Sequence, residues 1–152
     1  MKLFTPVAVV ATAFATLIGP SGPLGGFWRP SPDLPTAAQP ILGGLIAESM
    51  IENVAFGIGI AIALLGYRWF AARTPDRFHA LAAWLASVWL LASWMPHGSL
   101  HRHIGLAPRG LLPVEWIFHG GAIVAVAALL WALLAKPVGS AVTPSAVRGT
   151  TS

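Results

Sequence analysis

Four stretches of this chain are almost unbroken runs of apolar residues, and the segments between them are short and rich in proline, glycine and arginine. The runs cover residues 3–18, 41–66, 78–95 and 111–135. Each reaches or approaches the ~20 residues with which a helix crosses the hydrocarbon core of a bilayer. The pattern predicts an all-α fold: an integral membrane bundle of four transmembrane helices within residues 1–136. The tail, residues 137–152, has no apolar periodicity and is expected to be disordered and cytoplasmic. The first run also fits a signal peptide cleaved near Ala15, with Lys2 ahead of it and small residues at Ala11, Ala13 and Ala15. Its apolar character continues through Leu17 and Ile18 to the Gly19-Pro20 break, which favours an uncleaved span.

Orientation follows from the basic residues. Lys2, Arg68, Arg73, Arg77, Lys136 and Arg148 fall on one side of the spans, and Arg29, Arg102 and Arg109 on the other. The excess predicts a multi-pass protein of the inner (plasma) membrane with both termini in the cytoplasm. Trp28, Trp94 and Trp116 then sit at the outer interface and Trp69 and Trp131 at the inner one, as interfacial belts require. Trp84 and Trp89 fall inside the third run and are expected to pack against neighbours or lipid. Residues 19–40 hold six prolines, which predicts an extended outer loop without helix. Residues 67–77 predict a short basic inner turn, and residues 96–110 an outer loop holding His97, His101 and His103.

Composition narrows the classes of function. Of 152 residues, 56% are hydrophobic and only 9% charged, too few charges to cover a soluble fold. The net charge of +4 comes from scattered basic residues with no basic face interleaved with aromatics, so nucleic acid is not an expected partner. The expected partner is the lipid bilayer, with a membrane-protein complex or a second copy of the chain as the protein partners such a bundle would serve. There is no cysteine, which removes disulfides, thiolate metal sites and covalent haem attachment. Any metal must be held by nitrogen and oxygen.

Those donors are present at helical spacing. Glu48 and Glu52 lie four residues apart and share one face of the second span, a stripe continued by the small residues Ala55, Gly59 and Ala63. Glu115 and His119 repeat the spacing in the fourth span. His97 joins the third span if its helix persists past Pro96, and His101 and His103 follow in the loop. All these residues belong to the outer half of the bundle. A carboxylate there costs ~2–3 kcal/mol on the lenient insertion scales unless it is paired or neutralised.

The convergence of Glu48, Glu52, His97, Glu115 and His119, with His101 and His103 in reserve, points to a divalent transition metal: zinc, iron, manganese or copper. The chemistry this predicts is metal-assisted activation of water or oxygen on a lipophilic or interfacial substrate, with a second glutamate as general base and Ser93 or Asn53 in support. Other interpretations compete with it. Haem b between His97 and His119 is one, although three carboxylates line a porphyrin poorly. A Glu/His proton relay is another. The least specific is a non-catalytic accessory or structural subunit, its glutamates protonated and hydrogen-bonded across helices, with Asn53 as interhelical glue. His79, beside Arg77 at the other end, is expected to be structural, and Arg102 to contact lipid headgroups. The glycines near Gly43-Gly44 and Gly57 read as packing features, since no Gly-Lys-Ser/Thr follows them.

The run Trp94-Met-Pro-His97-Gly-Ser-Leu-His101-Arg-His103-Ile-Gly105, with Gly110-Leu-Leu and Glu115-Trp-Ile-Phe-His119 after it, resembles a set of small bacterial multi-pass membrane proteins of unknown function. These carry a Trp-x-Pro-His…Leu-x-His loop and a Glu-aromatic-x-Phe-His helix start. The resemblance covers about 26 residues. It implies no activity, only that this loop and helix start form one unit.

Overall fold

The computed structural model describes residues 2–28, 39–104 and 108–135, all-helical and without a strand among them. Residues 29–38 of the proline-rich connection, and the tail 137–152, lie outside the described residues. Helix α1 is Phe4–Ile18, α2 Gln39–Leu65, α3 Tyr67–Ala71, α4 Arg77–Ala92, α5 Trp94–Ile104, α6 Pro108–Glu115 and α7 Gly121–Leu134. A 3-10 turn, Gly25–Trp28, follows α1, and a π-helical turn, Trp116–Gly120, joins α6 to α7.

Three helical stretches are long and apolar enough to cross a membrane: Gly43–Leu65, Arg77–His103 and Leu112–Leu134. At ~1.5 Å per residue, 23 residues span about 34 Å, enough for a hydrocarbon core of ~30 Å. Helix α1 has 15 residues and falls short of that length.

The connections differ from the sequence expectation in three places. The proline-rich connection, expected to carry no helix, contains the 3-10 turn Gly25–Trp28, and α2 already begins within it at Gln39. The inner turn begins with the helix Tyr67–Ala71, so the loop proper shrinks to the residues just before Arg77. There Asp76 caps α4, its Oδ1 accepting from the backbone N–H of Phe78 at 2.8 Å and of His79 at 3.0 Å. More consequentially, the expected outer loop 96–110 is largely helix. The chain breaks only at Ser93 and resumes as α5, with Pro96 in its first turn, where a missing N–H leaves no intrahelical bond unmade. The His97 N–H reaches the Ser93 carbonyl at 3.0 Å and carries the helical ladder across the break.

Packing is inverted relative to a soluble protein. No large side chain is fully buried among the described residues, and the buried apolar positions are mostly alanines: Ala15, Ala61, Ala80, Ala83, Ala86, Ala125 and Ala132. Large apolar residues such as Phe14, Ile51, Leu64, Leu85, Ile123 and Leu134 are exposed. Water would penalise such a surface, whereas lipid is indifferent to it and leaves close backbone approach as the source of helix association. The seams are visible at single glycines. A Cβ on Gly57 would strike Thr12 and lie 2.5 Å from the Ala8 carbonyl oxygen on α1, and one on Gly59 would lie 2.7 Å from the Ala92 nitrogen on α4. Helix α2 is thus packed between α1 and α4, and α4 carries α7 on another face.

Polar links reinforce these seams. Asn53, buried in α2, donates to Thr16 Oγ1 of α1 at 3.4 Å, the interhelical glue its position predicts. Trp84 Nε1 donates to the Ile62 carbonyl at 2.9 Å, tying α4 to α2. Trp89 lies against Gly121, where a Cβ would come within 2.7 Å of its ring, and stacks on Phe118 at 5.9 Å. At the end of the bundle that bears Asp76, His79 bonds Asp76 at 2.9 Å and stacks on Trp131 at 4.1 Å. It stays apart from the other histidines described below, as expected of a structural residue.

Candidate metal centre

Helix α5 and the start of the last span bring the chemistry together. His97 and His101 are one turn apart on α5, so their rings leave the same face. Glu115 ends α6, and His119 follows in the π-helical turn. A π turn inside an α-helix loosens the backbone ladder, and such turns recur at functional sites.

The donor atoms converge. One donor atom from each of His97, His101 and Glu115 lies within 4.8 Å of the other two. His97 Nε2 is 2.9 Å from His101 Nε2, which is itself 3.0 Å from Glu115 Oε1. The second oxygen, Glu115 Oε2, pairs with His119 Nδ1. An imidazole nitrogen either carries a proton or offers a lone pair, never both. His101 Nε2 therefore cannot donate to Glu115 and accept from His97 together, and three nucleophilic atoms share one position for a positive charge. A divalent cation at that position would resolve the competition, as would one proton on His101 Nε2 shared between its two neighbours. With metal–ligand bonds of ~2.0–2.1 Å, the edge of a tetrahedral site is roughly 3.3 Å, against spacings here of 2.9 and 3.0 Å and a third within 4.8 Å.

The surroundings grade from closed to open. His97 is 6% exposed, sandwiched between the Phe118 ring at 4.9 Å, the His119 ring at 4.8 Å and the Trp94 ring at 5.6 Å. The side chains of His101, Glu115 and His119 are 27, 34 and 49% exposed, so the group opens on the His119 side. One buried imidazole and partly accessible partners would give an ion both a wall and a way in.

The other candidates lie nearby without joining this group. Glu48 and Glu52 line a separate groove with Gly44, Ala47, Ile51 and Ala55, and Trp94 lines it as well, so this indole borders both places. Glu48 is exposed there, while Glu52 lies against the backbone of α5 at Gly98. His103 is exposed and stacks with Phe27 of the 3-10 turn at 6.2 Å. Arg102 turns inward, contrary to the headgroup contact expected of it: its guanidinium donates to Ser49 Oγ at 3.1 Å and to the Leu45 carbonyl at 2.7 Å. Ser93 is buried at the α4–α5 break.

Comparison with known protein families, with characterised proteins and with solved structures gave no match to this chain.

Phe118 stands out in the sequence only as a member of the Glu115-Trp-Ile-Phe-His119 run, and Ser49 not at all. The stacking of Phe118 on His97 requires the two helices to be brought together.

Proposed function

We propose that this chain is a four-span integral membrane protein of the inner (plasma) membrane, termini inside, that binds a divalent transition metal through His97, His101 and Glu115. The observation that carries the reading is the convergence of His97, His101 and Glu115, with His101 Nε2 2.9 Å from His97 Nε2 and 3.0 Å from Glu115 Oε1, and one donor atom from each residue within 4.8 Å of the other two. Two histidines and one carboxylate suit zinc, and equally iron or manganese with open positions for water or substrate. His119 acts behind the ligands, its hydrogen bond to the second Glu115 oxygen orienting the carboxylate. The fourth span in this proposal is α1, supported by its glycine seam with α2 and by the Asn53–Thr16 bond, which also favour its retention over cleavage.

A small ion fits better than haem. The His97 and His119 rings stand 4.8 Å apart, edge to face, which leaves no room for a porphyrin between them. A bound divalent ion would polarise a substrate oxygen or lower the pKa of a coordinated water. If the protein is an enzyme, this is the reaction class we assign: water or oxygen activation on a lipophilic substrate reaching the centre from the bilayer. His97 and His101 would hold the ion, Glu115 would supply its negative charge, and Glu48 or Glu52, across Trp94, would be the remaining carboxylates able to accept a proton. The second reading, a non-catalytic subunit of a membrane complex or homo-oligomer, draws on α7, since only 11% of the Leu112–Leu134 window is buried.

Metal analysis of detergent-purified protein tests the proposal. One zinc, iron or manganese per chain that is lost in a His97→Ala, His101→Ala double variant of unchanged helicity supports it. A folded wild type that takes up no divalent metal refutes it.

A further inference from the structure

Helix α5 presents two stripes one residue apart. His97 and His101 face Glu115, Phe118 and His119, while Gly98 and Arg102 face α2. Successive residues of an α-helix turn by ~100°, so one short helix serves both neighbours, and its orientation on α2 sets the direction of the two imidazoles.

The α2 side is polar and specific. Arg102 makes a two-pronged contact, Nη1 to Ser49 Oγ at 3.1 Å and Nη2 to the Leu45 carbonyl at 2.7 Å, and Ser49 is 8% exposed. One turn earlier, the α5 backbone rests on the Glu52 carboxylate, since a Cβ on Gly98 would lie 2.7 Å from Glu52 Cδ. Two contacts a turn apart fix both the rotation and the height of a helix. Apolar packing gives α5 little else, for Met95 is its one buried large apolar side chain among the described residues.

We infer that Arg102 is a positioning residue: by clamping α5 to α2 it holds His97 and His101 opposite Glu115. Its consequence for metal binding rests on the proposed function; its consequence for the helix does not. Lysine at this position keeps the charge but not the planar fork that spans a hydroxyl and a carbonyl together.

The chain lacks cysteine, so spin labels on a Leu100→Cys, Leu112→Cys background report the spacing of α5 and α6 without interference. Wild type, Arg102→Met, Arg102→Lys and the milder Ser49→Ala would be compared in lipid nanodiscs, with Co2+ as the probe. Arg102→Met should broaden the distance distribution, weaken Co2+ binding by about 10- to 100-fold and alter the visible absorption of bound Co2+, with partial rescue by lysine. Ser49→Ala should move each readout the same way by less, and it serves if Arg102→Met fails to fold. Distances, affinity and spectrum that stay at wild-type values in Arg102→Met, or in Ser49→Ala where only that variant folds, overturn the inference. If no variant binds Co2+ yet the distances broaden, the clamp stands and the metal reading falls.

Discussion

Replacing Gly57 by valine should pry α1 from the bundle. A Cβ at this position would collide with Thr12 Oγ1 and sit 2.5 Å from the Ala8 carbonyl oxygen and 2.8 Å from the Thr12 nitrogen, where ordinary contact begins at 3.4 Å. The helices must separate by roughly 1 Å, which forfeits a quarter to a half of the attraction of each contact along the seam. Overpacking of this kind costs about 1–3 kcal/mol, and loss of the Asn53–Thr16 bond adds ~0.6 kcal/mol, an average for interhelical bonds in membranes. The expected destabilisation is therefore about 2–4 kcal/mol, read from reversible unfolding in mixed micelles by tryptophan fluorescence. Gly43→Ala is the matched control. A Cβ there meets nothing within 4 Å, so helix propensity alone acts, with a gain of up to ~1 kcal/mol. If Gly57→Val unfolds within ~0.5 kcal/mol of wild type, the close α1–α2 seam is wrong.

Three further outcomes follow from the same geometry. Trp84→Phe keeps most of the ring and loses the bond to the Ile62 carbonyl, which Gly66 N–H still occupies; the expected cost is about 0.5–1.5 kcal/mol in the same unfolding assay. The hydrogen bond from the His79 ring, with the backbone N–H groups of His79 and Phe78, holds the Asp76 carboxyl below its ordinary value. A depressed folded pKa gives stability that is complete above the unfolded value and lost as pH falls through the folded one. The stability difference between wild type and Asp76→Ala should thus shrink as pH falls below about 4. In metal titrations, His119→Ala should keep one site per chain but weaken it by about 10- to 100-fold, whereas His101→Ala should abolish it; equal losses in both would make His119 a ligand.

Much of the architecture can be read from single helices. Apolar run length locates the three stretches long enough to cross a membrane, the Glu115/His119 spacing places both groups on one side, and Asn53 bonds across to α1 as its polarity among apolar neighbours implies. What a pattern on one helix does not contain is which neighbour its faces meet. Glu48 and Glu52 do share a face of α2, but they open on the groove beside Trp94, with Glu52 against Gly98, while the histidines of α5 turn to Glu115. The region around Pro96 was the other obscure point. Proline forbids a helix interior yet suits a first turn, and only the break at Ser93 decides between the two. That decision moves His101 from a reserve in a loop to the middle of the cluster.

Two imidazoles and one carboxylate should bind the same ion. X-ray absorption at the zinc or iron edge of the loaded protein reads this directly, because imidazole rings give multiple-scattering features that carboxylates and water lack. Two imidazoles and at least one oxygen are expected at ~2.0–2.2 Å, falling to one imidazole in His101→Ala if any metal is retained. An all-oxygen shell without imidazole scattering, or a shell unchanged by that substitution, would contradict this coordination.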